Sequence, residues 1–287
     1  MDNFWKKNNK ASLICEIGVN HNSSLEMAFA LIDMAKSVGA EWVKFQKKNV
    51  EISTPKNMWD KPRDSIWEVD KTITYIEHKR RLEFGKREYD SIAKYCKQVG
   101  IGWFASVWDI DSADFIAQYE PPVMKVPSAH LNNYSLLSHI GHLGFPIVLS
   151  TGMSTTEEMR HASRFIGIRE GAMVMHCHSA YPAPDEELNL SMINRLDGLF
   201  APIPIGYSSH SVSPFPALYA ALLGANAIEC HVTMDRALPG SDHRASLEKH
   251  GVEILSRELK RISVCMGDGV KRVWDSELSS RMKLRGY

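Results

Sequence analysis

Short apolar, β-branched runs alternate along the chain with stretches whose apolar residues recur at three- and four-residue spacing. Such runs read as buried strands and such stretches as amphipathic helices. The pattern predicts strands at 13–16, 42–46, 103–106, 123–126, 146–150, 172–176, 204–208 and 227–231. Helices are predicted at 24–38, 86–99, 110–118, 134–143, 155–166, 191–200, 214–223 and 247–264. In the first helix Leu25, Ala28, Leu31, Ile32 and Ala35 form the apolar stripe, and Gly39 closes it. Gly100 does the same for the second, while Thr155 and Glu158 suit a helix start.

Eight strand–helix units predict an α/β fold, a (β/α)8 TIM barrel, with residues 1–287 as one catalytic domain. A doubly wound open sheet is the competitor, but the chain has no Gly-rich dinucleotide fingerprint. No Pro-, Gly- or Ser-rich linker marks a second domain. Residues 47–85 are too long for an ordinary strand-to-helix connection and read as a lid or binding loop. The charged tail, 267–287, is expected to cover one end of the barrel.

Composition narrows the classes. Hydrophobic residues make up 44% and charged residues 24% of the 287, ordinary for a soluble globular protein. Lys+Arg and Asp+Glu are both 34, so there is none of the basic excess of a nucleic-acid binder. No apolar run approaches the roughly 20 residues of a membrane helix, and the N-terminus lacks the apolar core of a secretory signal. Five scattered cysteines without a CxxC pair point to reduced thiols and a cytoplasmic protein.

A barrel of this class works at the carboxyl ends of its strands, and all eight predicted ends carry polar groups. In chain order they offer Glu16, Lys44 with Gln46, Ser106, Lys125 with Ser128 and His130, Ser150 with Ser154, His176 with His178, Ser208 with His210, and His231. Alternation puts Lys44 and Gln46 on one side of their strand. A core-facing Lys is costly unless paired, so each Lys either pairs with a carboxylate such as Glu16 or serves a ligand. Two lysines near Ser106, Ser128, Ser154 and Ser208 suit a small phosphorylated anion. His210 and His231 end adjacent strands and suit a divalent metal, or line the mouth as hydrogen-bonded histidines. His176 and His178 are further ligand candidates on one side of a strand.

Several segments in order resemble the sialic acid synthase family: Glu16-Ile17-Gly18-Val19-Asn20-His21-Asn22, Val43-Lys44-Phe45-Gln46 and Lys125-Val126-Pro127-Ser128. So do Ser150-Thr151-Gly152-Met153-Ser154, His176-Cys177 with Tyr181-Pro182, Gly206-Tyr207-Ser208-Ser209-His210, Glu229-Cys230-His231 and Gly240-Ser241-Asp242-His243. The resemblance implies a barrel that condenses phosphoenolpyruvate with an aldose to a 2-keto-3-deoxy sugar acid of the nonulosonate type, releasing phosphate. It implies a divalent metal, Mn2+ or Mg2+, on His210 and His231. It implies Glu16, Lys44, Lys125, His210 and His231 as the catalytic set. Phosphoenolpyruvate would be bound by Lys44, Ser106, Lys125, Ser128, Ser154 and Ser208, and the sugar by Gln46, Tyr181 and Asp242. The family forms dimers, which implies a homodimer.

Three departures accompany the resemblance. The chain ends at Tyr287, where the family commonly continues into an antifreeze-like domain. His130 stands where an acidic residue is expected, and Ser179, counted with the phosphoenolpyruvate site, where an asparagine is expected. An altered aldose choice follows. The alternatives are a synthase using a shorter phosphorylated aldose, with Arg63, Arg80, Arg81 or Arg244 on the phosphate; a Schiff-base aldolase with Lys125 as nucleophile; and a non-catalytic sugar-binding homologue. Arg281 and Arg285 suit an interface or a salt bridge.

Overall fold

Parallel pairing of successive strands, and of the last with the first, closes the chain into a barrel. A computed structural model describes residues 4–7, 10–62 and 73–285. Strand β1 (Lys6–Lys7) pairs antiparallel with the start of β2 (Lys10–Gly18). From β2 the strands run parallel in chain order: β3 (Trp42–Lys47), β4 (Gly102–Val107), β5 (Met124–Val126), β6 (Ile147–Ser150), β7 (Met173–Cys177), β8 (Ile205–Ser209) and β9 (Ala227–His231). β9 pairs back onto β2, with Ile14 opposite Glu229 and Glu16 opposite His231. This is the predicted (β/α)8 barrel.

Helices α1 (Leu25–Ser37), α2 (Val50–Ser53), α3 (Tyr75–Leu82), α4 (Lys86–Val99), α5 (Ile110–Ala117), α6 (Tyr134–Leu143), α7 (Thr156–Ser163), α8 (Met192–Phe200), α9 (Phe215–Leu222), α10 (Lys249–Cys265) and α11 (Asp275–Arg285) complete the described chain. The main apolar core lies between the barrel wall and the surrounding helices, with Leu31, Ile32, Ile92, Ile140 and Leu255 buried in it. Caps fix where helices begin: Ser24 accepts from the Met27 amide, and Thr155 and Glu158 form a reciprocal capping box.

Inside the barrel, a floor of Ile14, Phe104, Val123, Val148, Met173 and Met175 is closed from below by Trp5. The Trp5 indole donates to the Gly171 carbonyl at 2.9 Å, and its ring packs edge-on to Phe104. The N-terminal segment is thus the bottom plug. The tail differs from expectation: residues 265–285, α11 included, are exposed and cover neither end of the barrel. The described residues of the insertion after β3 form α2, a short 3-10 turn and α3. Glu83 ties it to the strand end, accepting from Lys47 Nζ at 2.8 Å and the Lys48 amide at 3.2 Å. Arg63 lies outside the described residues.

Candidate active site at the carboxyl end of the barrel

One step above the apolar floor, alternation turns a second layer of side chains inward, and this layer is polar. Glu16, Lys44, Ser106, Lys125, Ser208 and Glu229 are all buried. Lys44 Nζ lies 2.5 Å from Glu16 Oε2 and 3.6 Å from Glu229 Oε1, and donates to Ser106 Oγ at 2.8 Å. Lys125 donates to Glu229 Oε1 at 2.6 Å, and the Ser208 hydroxyl donates to the same oxygen at 3.0 Å. Gln46 amide nitrogen donates to Glu16 Oε1 at 2.9 Å. Both lysines therefore have carboxylate partners and still line a common cavity of about 180 Å3.

Two charges of each sign balance in that layer. Burial raises the Glu229 carboxyl, but the Lys125 and Lys44 ammoniums outweigh it and hold the group well below the usual carboxylate range. Burial lowers the Lys125 ammonium, with Glu229 opposing it. Glu229 Oε2 is buried without a hydrogen-bond partner, as is Ser150 Oγ. Both residues belong to the cavity wall, where a ligand would satisfy them.

The wall also contains Ser128, Cys177, Ser179, Tyr181, His210 and His231. Ser128 Oγ accepts from the Gly152 amide at 3.0 Å and sits 3.1 Å from Cys177 Sγ. A Cβ on Gly152 would stand 2.2 Å from Ser179 Oγ, so only glycine lets these hydroxyls converge. Gly18, at φ +53, plays a similar part beside Glu16 Oε1.

His210 and His231 meet, with ring centroids 5.3 Å apart, and the Tyr181 ring packs against His210 at 4.0 Å, tilted by 31°. His210 Nδ1 is held by the His178 carbonyl at 2.5 Å. Burial, with His231 adding to it, pushes the His210 pKa down to about 3, so the ring is neutral. A neutral imidazole whose Nδ1–H is fixed on a backbone carbonyl presents its Nε2 lone pair, the arrangement of a metal-ligating histidine. His231 Nδ1 is buried without a hydrogen-bond partner, 3.6 Å from Asp242 Oδ2. The donor set fits a divalent cation that keeps positions open for water or substrate. Among the described residues, no group of three or more His, Cys, Asp or Glu side chains gathers around one point.

Some expected residues stand elsewhere. Ser154 is not in the wall. The backbone turns left-handed at Met153 (φ 59), which brings Met153 to the cavity and leaves the Ser154 hydroxyl donating to the Gly152 carbonyl at 3.1 Å. Asp242 adjoins His231 rather than the cavity wall. His176 bonds the Leu188 carbonyl at 2.8 Å and His178 pairs with Glu187 at 3.0 Å, so neither joins the two imidazoles. Arg80 pairs with Glu51 at 2.7 Å on the surface. His130 packs edge-on to Trp108, at 5.3 Å. Sequence reasoning passed over Glu229, Trp108, Cys177 and Met153. Glu229 carried a signal, since it precedes His231 by two on one strand and must share its face.

Fold and site together define a class: a (β/α)8 barrel with a buried lysine–glutamate layer, a hydroxyl-lined pocket and a pair of imidazoles at its mouth. The comparisons go further. A profile of the NeuB family matches residues 31–271, and the chain belongs to that family. The N-acetylneuraminate-9-phosphate synthase of Homo sapiens is 35% identical over 273 residues, covering 95% of this chain and 76% of the relative. The N,N'-diacetyllegionaminic acid synthase of Campylobacter jejuni is 32% identical over 93% of this chain and 81% of its own. The crystal structure of an N-acetylneuraminic acid (sialic acid) synthetase from Leptospira borgpetersenii, in complex with citrate, superposes with a TM-score of 0.82 at 29% identity. It covers 98% of this chain and 94% of that one.

Proposed function

We propose that this protein condenses phosphoenolpyruvate with an aldose to a nine-carbon-type 2-keto-3-deoxy acid and releases inorganic phosphate. The observation that carries the reading is the convergence of Lys44, Lys125, Ser106, Ser128 and Ser208 on one cavity with Glu16, His210 and His231. Relatives named as synthases of sialic and legionaminic acids support it.

The chain's residues divide the work. Lys44 and Lys125 bind the carboxylate and phosphate of phosphoenolpyruvate, and the Ser128, Ser179 and Ser208 hydroxyls orient it. Carbon 3 of phosphoenolpyruvate attacks the aldehyde carbon, water adds at carbon 2, and phosphate leaves. Glu16, between Gln46 and Lys44, is placed to take the proton that the added water gives up. Tyr181 and Gln46, in the cavity wall, contact the sugar, and Asp242 acts from beside His231. His210 and His231 would hold a divalent cation, manganese or magnesium, which would supply Lewis-acid polarisation of the aldehyde oxygen.

The test is phosphate release with added Mn2+ across a panel of aldoses, with mass analysis of each mixture. Release tied to a product of aldose plus pyruvate mass supports the reading. His210→Ala should abolish it and remove bound manganese detected by electron paramagnetic resonance. A Schiff-base aldolase would leave the paired imidazoles of His210 and His231 without a part, and Lys125 Nζ is engaged by Glu229 Oε1 at 2.6 Å.

A further inference from the structure

The barrel closes where its last strand meets its first, and a side-chain clip spans that seam. Asn20 lies two residues past the end of β2 and is buried. Its amide nitrogen donates to the Val232 carbonyl at 2.9 Å and to Ser246 Oγ at 2.8 Å. Those partners stand 212 and 226 positions further along the chain, in the segment between β9 and α10. A carbonyl only accepts, so the Val232 bond fixes which way the Asn20 amide faces. With Asn20 donating to it, the Ser246 hydroxyl donates onward, to the Asp242 carbonyl at 2.7 Å. The Ala245 amide donates to the same carbonyl at 3.1 Å.

The relay ends at a residue beside the imidazole pair. Asp242 Oδ2 stands 3.6 Å from His231 Nδ1, and Ser241 Oγ donates to Asp242 Oδ1 at 2.7 Å. A carboxylate facing Nδ1 keeps the ring proton on that side and leaves the Nε2 lone pair for a cation. Between β9 and α10 the chain forms one bridge, Val232 to Leu247, and one short 3-10 turn, His243–Ala245. The place of Asp242 therefore rests on the hydrogen bonds that hold its backbone. Neither Asn20 nor Ser246 belongs to the cavity wall.

We infer that Asn20 and Ser246 are positioning residues, which hold the Asp242 backbone across the barrel seam so that its carboxylate faces His231. They act through Asp242 and not on the substrates. The inference rests on the reading above that His210 and His231 hold a divalent cation.

Mn2+ titration of the full chain without substrates, followed by electron paramagnetic resonance, tests it. Asn20→Ala and Ser246→Ala should each weaken Mn2+ binding about tenfold, the size of effect carried by the outer partners of a metal-ligating histidine. Ser246→Ala removes one hydroxyl and serves alone if Asn20→Ala does not fold. Phosphoenolpyruvate, titrated by calorimetry without metal, should bind the variants as tightly as the parent. In an Asp242→Asn background, Ser246→Ala should weaken Mn2+ binding less than about twofold, because the carboxylate it acts through is gone. The same tenfold loss in both backgrounds overturns the inference, as does a matching loss of phosphoenolpyruvate binding, which would mark a general loss of packing. Unchanged Mn2+ affinity in Ser246→Ala sinks the inference alone. A parent chain that binds no Mn2+ removes the metal reading and the inference with it.

Discussion

Glu229 sets the charge balance on which the cavity depends. Its Oε1 receives Lys125 and Ser208 and lies near Lys44, so neutralising it leaves two buried ammoniums with less counter-charge. Breaking a buried ion pair from one side costs about 3–5 kcal/mol. Glu229→Gln should lose stability on that order in urea unfolding, and Glu229→Leu combined with Lys125→Met should lose less than the two single changes summed. Additive losses would show that the pair is not coupled. Gly152 is a second single-residue lever. Gly152→Ala places a methyl group against Ser179 and Ser128, and should raise KM for phosphoenolpyruvate at least tenfold with little change in melting temperature. Normal KM would mean the hydroxyls do not hold the substrate.

His21 gives a pH dependence with a worked sign. Burial pushes its pKa down to about 3, and its ring stacks on Phe84 at 3.8 Å. An unfolded His titrates near 6.5, so below that pH the unfolded chain takes up a proton that the folded chain refuses. Stability is unaffected by this group above pH 6.5 and falls as the pH drops from there toward 3. At pH 5 the loss is on the order of 2 kcal/mol. Unfolding free energies at pH 7 and pH 5, for the parent and His21→Asn, check it: the variant's difference should be smaller, and an equal difference would assign the effect to other groups.

At the scale of elements, the strand interiors are two-tiered, apolar below and charged above, and the tiers have separate tests. Trp5 seals the lower tier from a segment outside the barrel proper. Trp5→Ala should cost about 3–5 kcal/mol as a large buried side chain is lost, while KM for phosphoenolpyruvate at low temperature stays within about twofold. An altered KM would mean the plug shapes the site. The strands and most helices were legible in the sequence because their periods of 2 and 3.6 are set by what each face touches. Helix α6 and strand β9 have the predicted bounds. The hairpin made by β1 was not legible, since two lysines carry no apolar period. Nor was the exposure of α11, because charge and scattered apolar residues do not say what a tail lies against.

The same division holds for the site. Lys44, Lys125, His210 and His231 could be placed from strand ends and alternation alone, because a barrel points its last inward residues into one mouth. Where the Ser154 hydroxyl lies was not legible, because the left-handed backbone at Met153 is a conformation the sequence does not signal.

For the whole molecule, barrel closure brings residues from positions 16 to 231 to one mouth, and the chemistry exists only in that assembled state. The account's central claim is that this mouth joins phosphoenolpyruvate to an aldose. The most direct measurement is mass analysis of the product formed from carbon-3-deuterated phosphoenolpyruvate in H2(18)O, alongside phosphate release. The account predicts a product of aldose plus pyruvate mass that retains deuterium, carries 18O at carbon 2 before exchange, and appears one for one with phosphate. Phosphate released without a new carbon–carbon bond, or with 18O in the phosphate instead of the product, would contradict it.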